Sequence, residues 1–438
     1  MQDILGQFGS FGFTMVAFVV ALSIIVAIHE YGHYIVGRWC GIDADVFSLG
    51  FGPVLYSRVD KRGTQWQVAA LPFGGYVKFA GDANAASVGG DSDVPRARNT
   101  MMGAPLWARS LTVAAGPVFN FILSFLIFMM FALIYGTPSQ KMIIAEMTPL
   151  PDSYVQELQV GDEVLEIAGM TVPDYDVIGP FLNSLPIEKT LDYRVLRNGE
   201  EITVQAPHPR PPVASGVSLE SAARDAGVEV GDVITAVGGT PIWVFDELVA
   251  AVAAADGGPV DLTVQRGDET LEFSLTPRVT AEPTAGGGFQ NNFRIGIAAS
   301  TFYQPATESV GLWTAITGSV GRVWDIIAQS VSGLGAMITG QISTCNLSGP
   351  IGIAQASGAM ASQGGVSFIS FVALLSTAVG LLNLFPVPVL DGGHLVFHAY
   401  EAVTGREPSE GALRVLMALG LGLILTLMVF AVFTDMFC

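Results

Sequence analysis

His29-Glu30-Tyr31-Gly32-His33, an HExxH string, closes an apolar run, and the two together decide the fold. Residues 11–28 contain no charged side chain. At helical rise that run nearly covers the hydrocarbon core of a bilayer. Side chains four apart share a helix face, so His29 and His33 can present two imidazole nitrogens to one metal. Glu30 stands beside them, suited to take a proton from a water on that metal. The run is hydrophobic all round, unlike an amphipathic surface helix. A Glu and two His in lipid are costly unless they line a shielded site. The plain alternative is three polar residues capping a membrane helix at its interface, and a motif match alone leaves both open.

Composition points the same way. Of 438 residues, 50% are hydrophobic and only 13% charged, the balance of a membrane protein with room for two or three domains. The formal charge of −19 argues against nucleic acid, which demands a basic face. The start, Met1-Gln2-Asp3, has no basic n-region, and the apolar run ends without small cleavage-site residues, so a cleaved signal peptide is not expected. Three cysteines, Cys40, Cys345 and Cys438, make no CxxC and no disulfide framework, which excludes a thiolate zinc site.

Four spans are expected, at about 11–33, 110–135, 368–390 and 413–434. The loop at 36–109 carries Arg38, Arg58, Lys61, Arg62, Lys78, Arg96, Arg98 and Arg109, and by the positive-inside rule it is cytoplasmic. The segment at 136–366 holds 10 Lys and Arg against 26 Asp and Glu and goes outside, with both termini. Spans one and three then run in the same direction. His29 and His33 near the end of the first should lie at the depth of Asp391, in the Leu390-Asp391-Gly392-Gly393 stretch that ends the third. Two His, a carboxylate and water make a catalytic zinc set with an open position. Without the HExxH, Asp391 would read as a helix-ending carboxylate in a cytoplasmic turn.

The third span ends in Asn383-Leu384-Phe385-Pro386-Val387-Pro388-Val389-Leu390. Two prolines break a helix and free backbone groups, tolerated in a membrane only inside protein or around a wet cavity. Asn383 and Pro388 are candidates for handling a substrate backbone there; a simple kink is the alternative. Span two contains Gly116-Pro117-Val118-Phe119-Asn120, where Asn120 either faces the site or joins two helices. In the cytoplasmic loop, residues 65–79 read as two short strands around a Pro/Gly turn that includes Gly74 and Gly75. That hairpin is either an ordinary surface element or an edge that pairs with an extended substrate. Residues 83–99 turn small and polar, as a mobile segment would.

The outer segment repeats itself. Val160-Gly161-Asp162-Glu163-Val164-Leu165 parallels Val230-Gly231-Asp232-Val233-Ile234, and Arg197-Asn198-Gly199-Glu200 is echoed by Arg266-Gly267-Asp268-Glu269. The pattern resembles PDZ domains, placed at 137–207 and 213–280 with Pro207-His208-Pro209-Arg210-Pro211-Pro212 as a stiff linker. These could capture chain ends by strand addition or act only as spacers. After a Gly-rich connector at 285–292, residues 300–345 include apolar positions at helical spacing, such as Trp313, Val320, Ile327 and Ile338. A loop around Ser348-Gly349-Pro350-Ile351-Gly352 precedes span three.

HExxH in span one, Asn-x-x-Pro-x-Pro-x-Leu-Asp-Gly in span three and tandem repeats between them resemble the site-2 protease family over nearly the whole chain. The similarity is to its bacterial branch, the regulators of sigma-E proteases, which cleave anti-sigma factors in the membrane. The resemblance implies that His29, His33 and Asp391 bind one zinc ion and that Glu30 is the catalytic base. It implies that residues 116–120 lie near the site, that Asn383 helps position substrate and that the hairpin at 65–79 is a membrane-reentrant β-loop. One departure is Ala378, where some members carry a second Asn. The expected architecture is a multi-pass α-helical membrane protein with four transmembrane helices, two external PDZ-like α+β domains and a cytoplasmic-side reentrant hairpin. The membrane core is expected in two halves, 1–135 and 367–438. The expected function is zinc-dependent cleavage of transmembrane substrates, anti-sigma factors and signal-peptide remnants among them, in a bacterial inner membrane. The PDZ-like pair would be periplasmic and act as a size filter, with the site toward the cytoplasm. The rival class is a membrane-anchored PDZ scaffold with an inert HExxH, which would need no tightly held metal. A metal transporter would show repeated broken helices, and here only span three looks broken.

Overall fold

A computed structural model of the chain describes residues 2–81, 97–218, 221–284 and 289–437. Residues 83–96 of the small polar segment, 285–288 of the connector, and Cys438 lie outside that set. The helices in chain order are α1 (Gln2–Trp39), α2 (Leu106–Tyr135), α3 (Ile178–Ser184), α4 (Ala222–Ala226), α5 (Phe245–Ala254), α6 (Leu312–Ile338), α7 (Pro350–Ser362), α8 (Gly365–Asn383), α9 (Asp391–Thr404) and α10 (Glu410–Phe437). Four stretches are long and apolar enough to cross a membrane: Phe11–Trp39, Leu106–Tyr135, Gly365–Asn383 and Glu410–Phe437. The chain is thus a membrane protein with additional β domains. It divides into two compact units, one formed by Met1–Met130, Trp313–Met337 and Thr344–Cys438, the other by Phe131–Leu312 and Ile338–Ser343.

Within the first unit, α1 and α2 cross where neither has a side chain in the way. A Cβ on Gly32 would lie 2.6 Å from Ala115 O, and one on Gly116 would overlap His33 Nε2. Small polar groups then tie α2 to α8: Ser124 Oγ donates to Ala373 O at 2.6 Å and Ser376 Oγ to Asn120 O at 3.0 Å. Such bonds matter where no hydrophobic force pulls helices together. Two expectations need correction here. The third span ends at Asn383, and Asp391 does not end that helix but begins α9. The stretch after Ser348 is not a loop: Pro350 opens α7, a position where its missing N–H costs nothing. Asp435 of α10 accepts from the N–H groups of Gly349 (2.7 Å), Ile351 (2.9 Å) and Gly352 (3.2 Å), capping that helix from outside.

A sheet follows α1, made of β1 (Ala44–Val59) and β2 (Gln65–Phe79). It departs from the expected hairpin. The two halves of β2 do not pair with each other; Val46, Phe47, Ser48 and Leu49 of β1 lie between them, each with one partner in 65–68 and another in 75–78. Residues 54–59 of β1 extend the sheet beyond the first half of β2. One end of the sheet meets the end of α1, where Tyr34 Oη donates to Asp60 Oδ2 at 3.3 Å. The other end reaches back along α1, since a Cβ on Gly75 would meet Val26 and Glu30. Eight helical residues, about 12 Å, separate those levels.

In the second unit the internal repeat is real. Strands order as 170–171, 163–167, 191–197, 200–206 in one sheet and 240–241, 233–237, 260–266, 269–275 in the other. The repeated Gly-Asp and Arg residues explain each other. Asp162 accepts two bonds of 2.7 Å from Arg197, and Asp232 two of 2.7 Å from Arg266. The second repeat runs past 280: Phe289–Arg294 pairs with Arg278–Pro283, and Ile295 joins its core. The proline linker is packed, with Arg210 bridging Asn183 of the first repeat and Asp246 of the second. The helical segment expected at 300–345 is shorter, because 303–305 and 307–308 are strands that pair with 144–147 and 137–138. Both ends of the unit therefore leave side by side.

Burial raises the Asp162 pKa, but the Arg197 fork and the Gln159 N–H outweigh it and hold the carboxyl below the usual range. A depressed carboxyl stabilises the fold above its unfolded value of about 3.9, and that contribution is lost as pH falls through the folded value. The first repeat should loosen below about pH 4. Asp162→Ala should cost about 3 kcal/mol, since Arg197 loses its partner in a mostly buried pair. Hydrogen exchange of the full chain checks this: amides of the first repeat should open on the order of a hundredfold faster, and unchanged exchange would contradict it.

Candidate active site

One turn of α1 separates His29 from His33, and their rings meet edge-on with centroids 4.8 Å apart. Their Nε2 atoms are 3.1 Å apart. Asp391 Oδ2 completes a triangle, 3.1 Å from His29 Nε2 and 3.5 Å from His33 Nε2. Ligands bonded at ~2.0–2.1 Å around a tetrahedral ion stand roughly 3.3–3.4 Å from one another, so the triangle has the size a zinc ion requires. Asp391 Oδ2 is buried without a hydrogen bond. A buried carboxylate oxygen facing two imidazole nitrogens in that state is explained by a cation. Among the described residues this is the one such His, Cys, Asp and Glu cluster. The first turn of α9 also favours the negative charge of Asp391 through its exposed N–H groups.

The outer ring nitrogens are held by α2. His33 Nδ1 lies 2.8 Å from Thr112 O, so it carries the proton and leaves Nε2 free. His29 Nδ1 lies 3.2 Å from the Asn120 amide, whose Oδ1 is otherwise buried without a partner. The arrangement that frees His29 Nε2 has Oδ1 accepting the Nδ1 proton, which also satisfies that oxygen. Asn120 therefore does both things its sequence context allowed: its amide reaches a metal-site histidine while its carbonyl joins α2 to α8. Glu30 sits beside the triangle and accepts from the Val77 backbone on the edge of β2.

The other candidates are scattered around this centre. Gly75 lies against α1 next to Glu30, whereas Gly74, at φ 139°, folds under the Phe51 ring. Asn383 donates its amide to Val379 O of its own helix at 3.1 Å. Pro388 backs α9 and α10, in contact with the positions a Cβ would take on Gly393 and Gly420. Sequence reasoning missed Thr112, which acts through its carbonyl and so leaves no side-chain signal. It also missed the Arg109–Glu401 pair at 2.6 Å and the Ser110–His398 contact at 3.2 Å. Nothing local in either partner announces such distant pairs.

A zinc-sized donor triangle with a neighbouring carboxylate, two of its corners on a membrane-length helix, is the arrangement of a membrane-embedded metallohydrolase. Comparison with known proteins makes this specific. The model of peptidase family M50 matches residues 17–427. A relative from Agrobacterium fabrum that bears a zinc metalloprotease name is 35% identical, over 99% of this chain and 98% of its own. The regulators of sigma-E protease RseP of Salmonella typhimurium and of Escherichia coli are each 33% identical, covering 96% and 97% of this chain and 98% and 99% of theirs. The chain belongs to peptidase family M50, the site-2 proteases. It is a metalloprotease.

Proposed function

We propose that this protease hydrolyses peptide bonds in the transmembrane segments of other membrane proteins, of the anti-sigma factor type, in a bacterial inner membrane. The observation that carries the reading is the meeting of His29 and His33, on a membrane-length helix, with the unbonded Asp391 Oδ2 at the start of α9. These three would hold one zinc ion. Bound zinc supplies Lewis acidity and brings the pKa of a coordinated water toward ~7. Glu30 takes the water's proton and passes it to the leaving amine. Thr112 and Asn120 keep both imidazoles oriented. Asn383 spends one of its two amide N–H groups on Val379 O and keeps the other for a substrate carbonyl.

Substrate handling follows from the sheet. Its turn near Val26 exposes Phe51, Leu71 and Phe73, and its other end carries Arg58, Lys61 and Arg62 beside the end of α1. Apolar at the deeper end and basic at the shallower, it suits a β-loop that enters the membrane from the cytoplasmic face. A substrate helix satisfies its own backbone and must unwind before cleavage. Pairing with the 75–79 edge beside Glu30 offsets part of that cost. The two PDZ-like repeats belong on the periplasmic side with both termini.

The test uses the full chain in liposomes with a model transmembrane segment. Cleavage should occur, stop on zinc chelation and return with zinc; cleavage that ignores chelation would overturn the reading. In a separate experiment, deletion of residues 137–280 should permit cleavage of a substrate whose bulky outer domain is intact. Continued resistance of that substrate would remove the size-filter role.

A further inference from the structure

Residues 384–390 interrupt the chain between α8 and α9 with two prolines, so α9 is not a continuation of α8, although its first turn rests on their backbone. The far half of α9 is instead tied to α2. Arg109 Nη2 donates to Glu401 Oε1 at 2.6 Å, and its Nη1 lies 3.8 Å from Glu407 just past the helix. Ser110 Oγ and His398 Nδ1 stand 3.2 Å apart beside it. Arg109 is only 8% exposed. On α2, Arg109, Thr112, Gly116 and Asn120 follow spacings of three, four and four and share one face. Thr112 and Asn120 hold the histidines, Gly116 makes room for them, and Arg109 holds α9.

We propose that Arg109 is a positioning residue for the metal site: its ion pair with Glu401 sets the tilt of α9 and thereby keeps Asp391 in register with His29 and His33. The inference rests on the metal reading above and concerns how its third ligand is aimed. A buried ion pair adds little net stability, because desolvation offsets the attraction. It contributes position, and the planar guanidinium fork is already shaped for a carboxylate. Asp391 and Glu401 lie ten residues apart, about 15 Å along the helix, so a tilt of about 5° moves the carboxylate by roughly 1 Å. Metal–ligand distances tolerate only about 0.2 Å.

Zinc affinity of the purified full chain, measured by chelator competition, tests this. Arg109→Gln and Glu401→Gln should each weaken zinc binding about tenfold, the size expected for groups that orient a ligand. The exchange Arg109→Glu with Glu401→Arg should recover most of the affinity, which guards against simple misfolding. In an Asp391→Ala background, Arg109→Gln should have no further effect, because the ligand it aims is gone. Unchanged affinity in Arg109→Gln overturns the proposal. So does an equal loss with and without Asp391, which would make Arg109 a general structural residue. Wild-type chain that holds no zinc would instead overturn the metal reading itself.

Discussion

Glu30→Gln should abolish proteolysis while the zinc content stays at the wild-type level. Gln has the shape of Glu and can still accept from the Val77 backbone, so the edge of β2 and the turn of α1 are undisturbed. It cannot take a proton from water. General-base removal usually costs 10²–10⁴-fold, and in the proposed mechanism the same group also serves the leaving amine, so the larger end of that range, about 10⁴-fold, is expected. The check is initial cleavage rate beside metal analysis of the same preparations. Full activity in the variant would assign the base elsewhere; loss of both zinc and activity would recast Glu30 as part of the metal's support.

Gly116→Ala should be nearly as damaging, from a single methyl group. Its Cβ would come within 2.8 Å of His29 Cε1 and overlap the ring of His33, so both ligands must move or the helices must part. Neither is cheap at a packed crossing. Zinc should be lost from most molecules and cleavage should fall at least about a hundredfold, in line with a ligand displaced beyond bonding tolerance. Gly422→Ala is the control: nothing lies within 4 Å of its added Cβ, and the change should be neutral. Retention of zinc by Gly116→Ala would show that α1 and α2 are less tightly crossed than described.

How much of this was legible in the sequence depends on how far each signal reaches along the chain. His29, Glu30 and His33 declare themselves because helix geometry is local. That Asp391 meets His29 and His33 was legible from span direction, although the helix containing it was misjudged. Gly392 and Gly393 look like a turn, yet they are helical and let α9 start against the carbonyls of Leu384 and Val387. The glycine and serine content around α7 read as a loop for the same reason; those small residues instead let Gly358 press against Thr14 of α1. The sheet was half seen. Residues 65–79 carried turn signals, but β1 contains Gly50, Gly52 and Pro53 and hid its role as the strand between them. Contacts such as Arg109 with Glu401 join residues 292 apart in sequence, and no local pattern encodes them.

The place of the proposed third ligand in the chain also sets a clock. His29 and His33 stand on α1, whereas Asp391 comes after the entire two-repeat unit, an insertion in the chain whose ends leave side by side. A growing chain cannot bring the three proposed ligands together until Asp391 has been synthesised. In the proposed mechanism cleaving power would therefore arrive only after the repeats have been made, and a chain stopped before Asp391 would lack it.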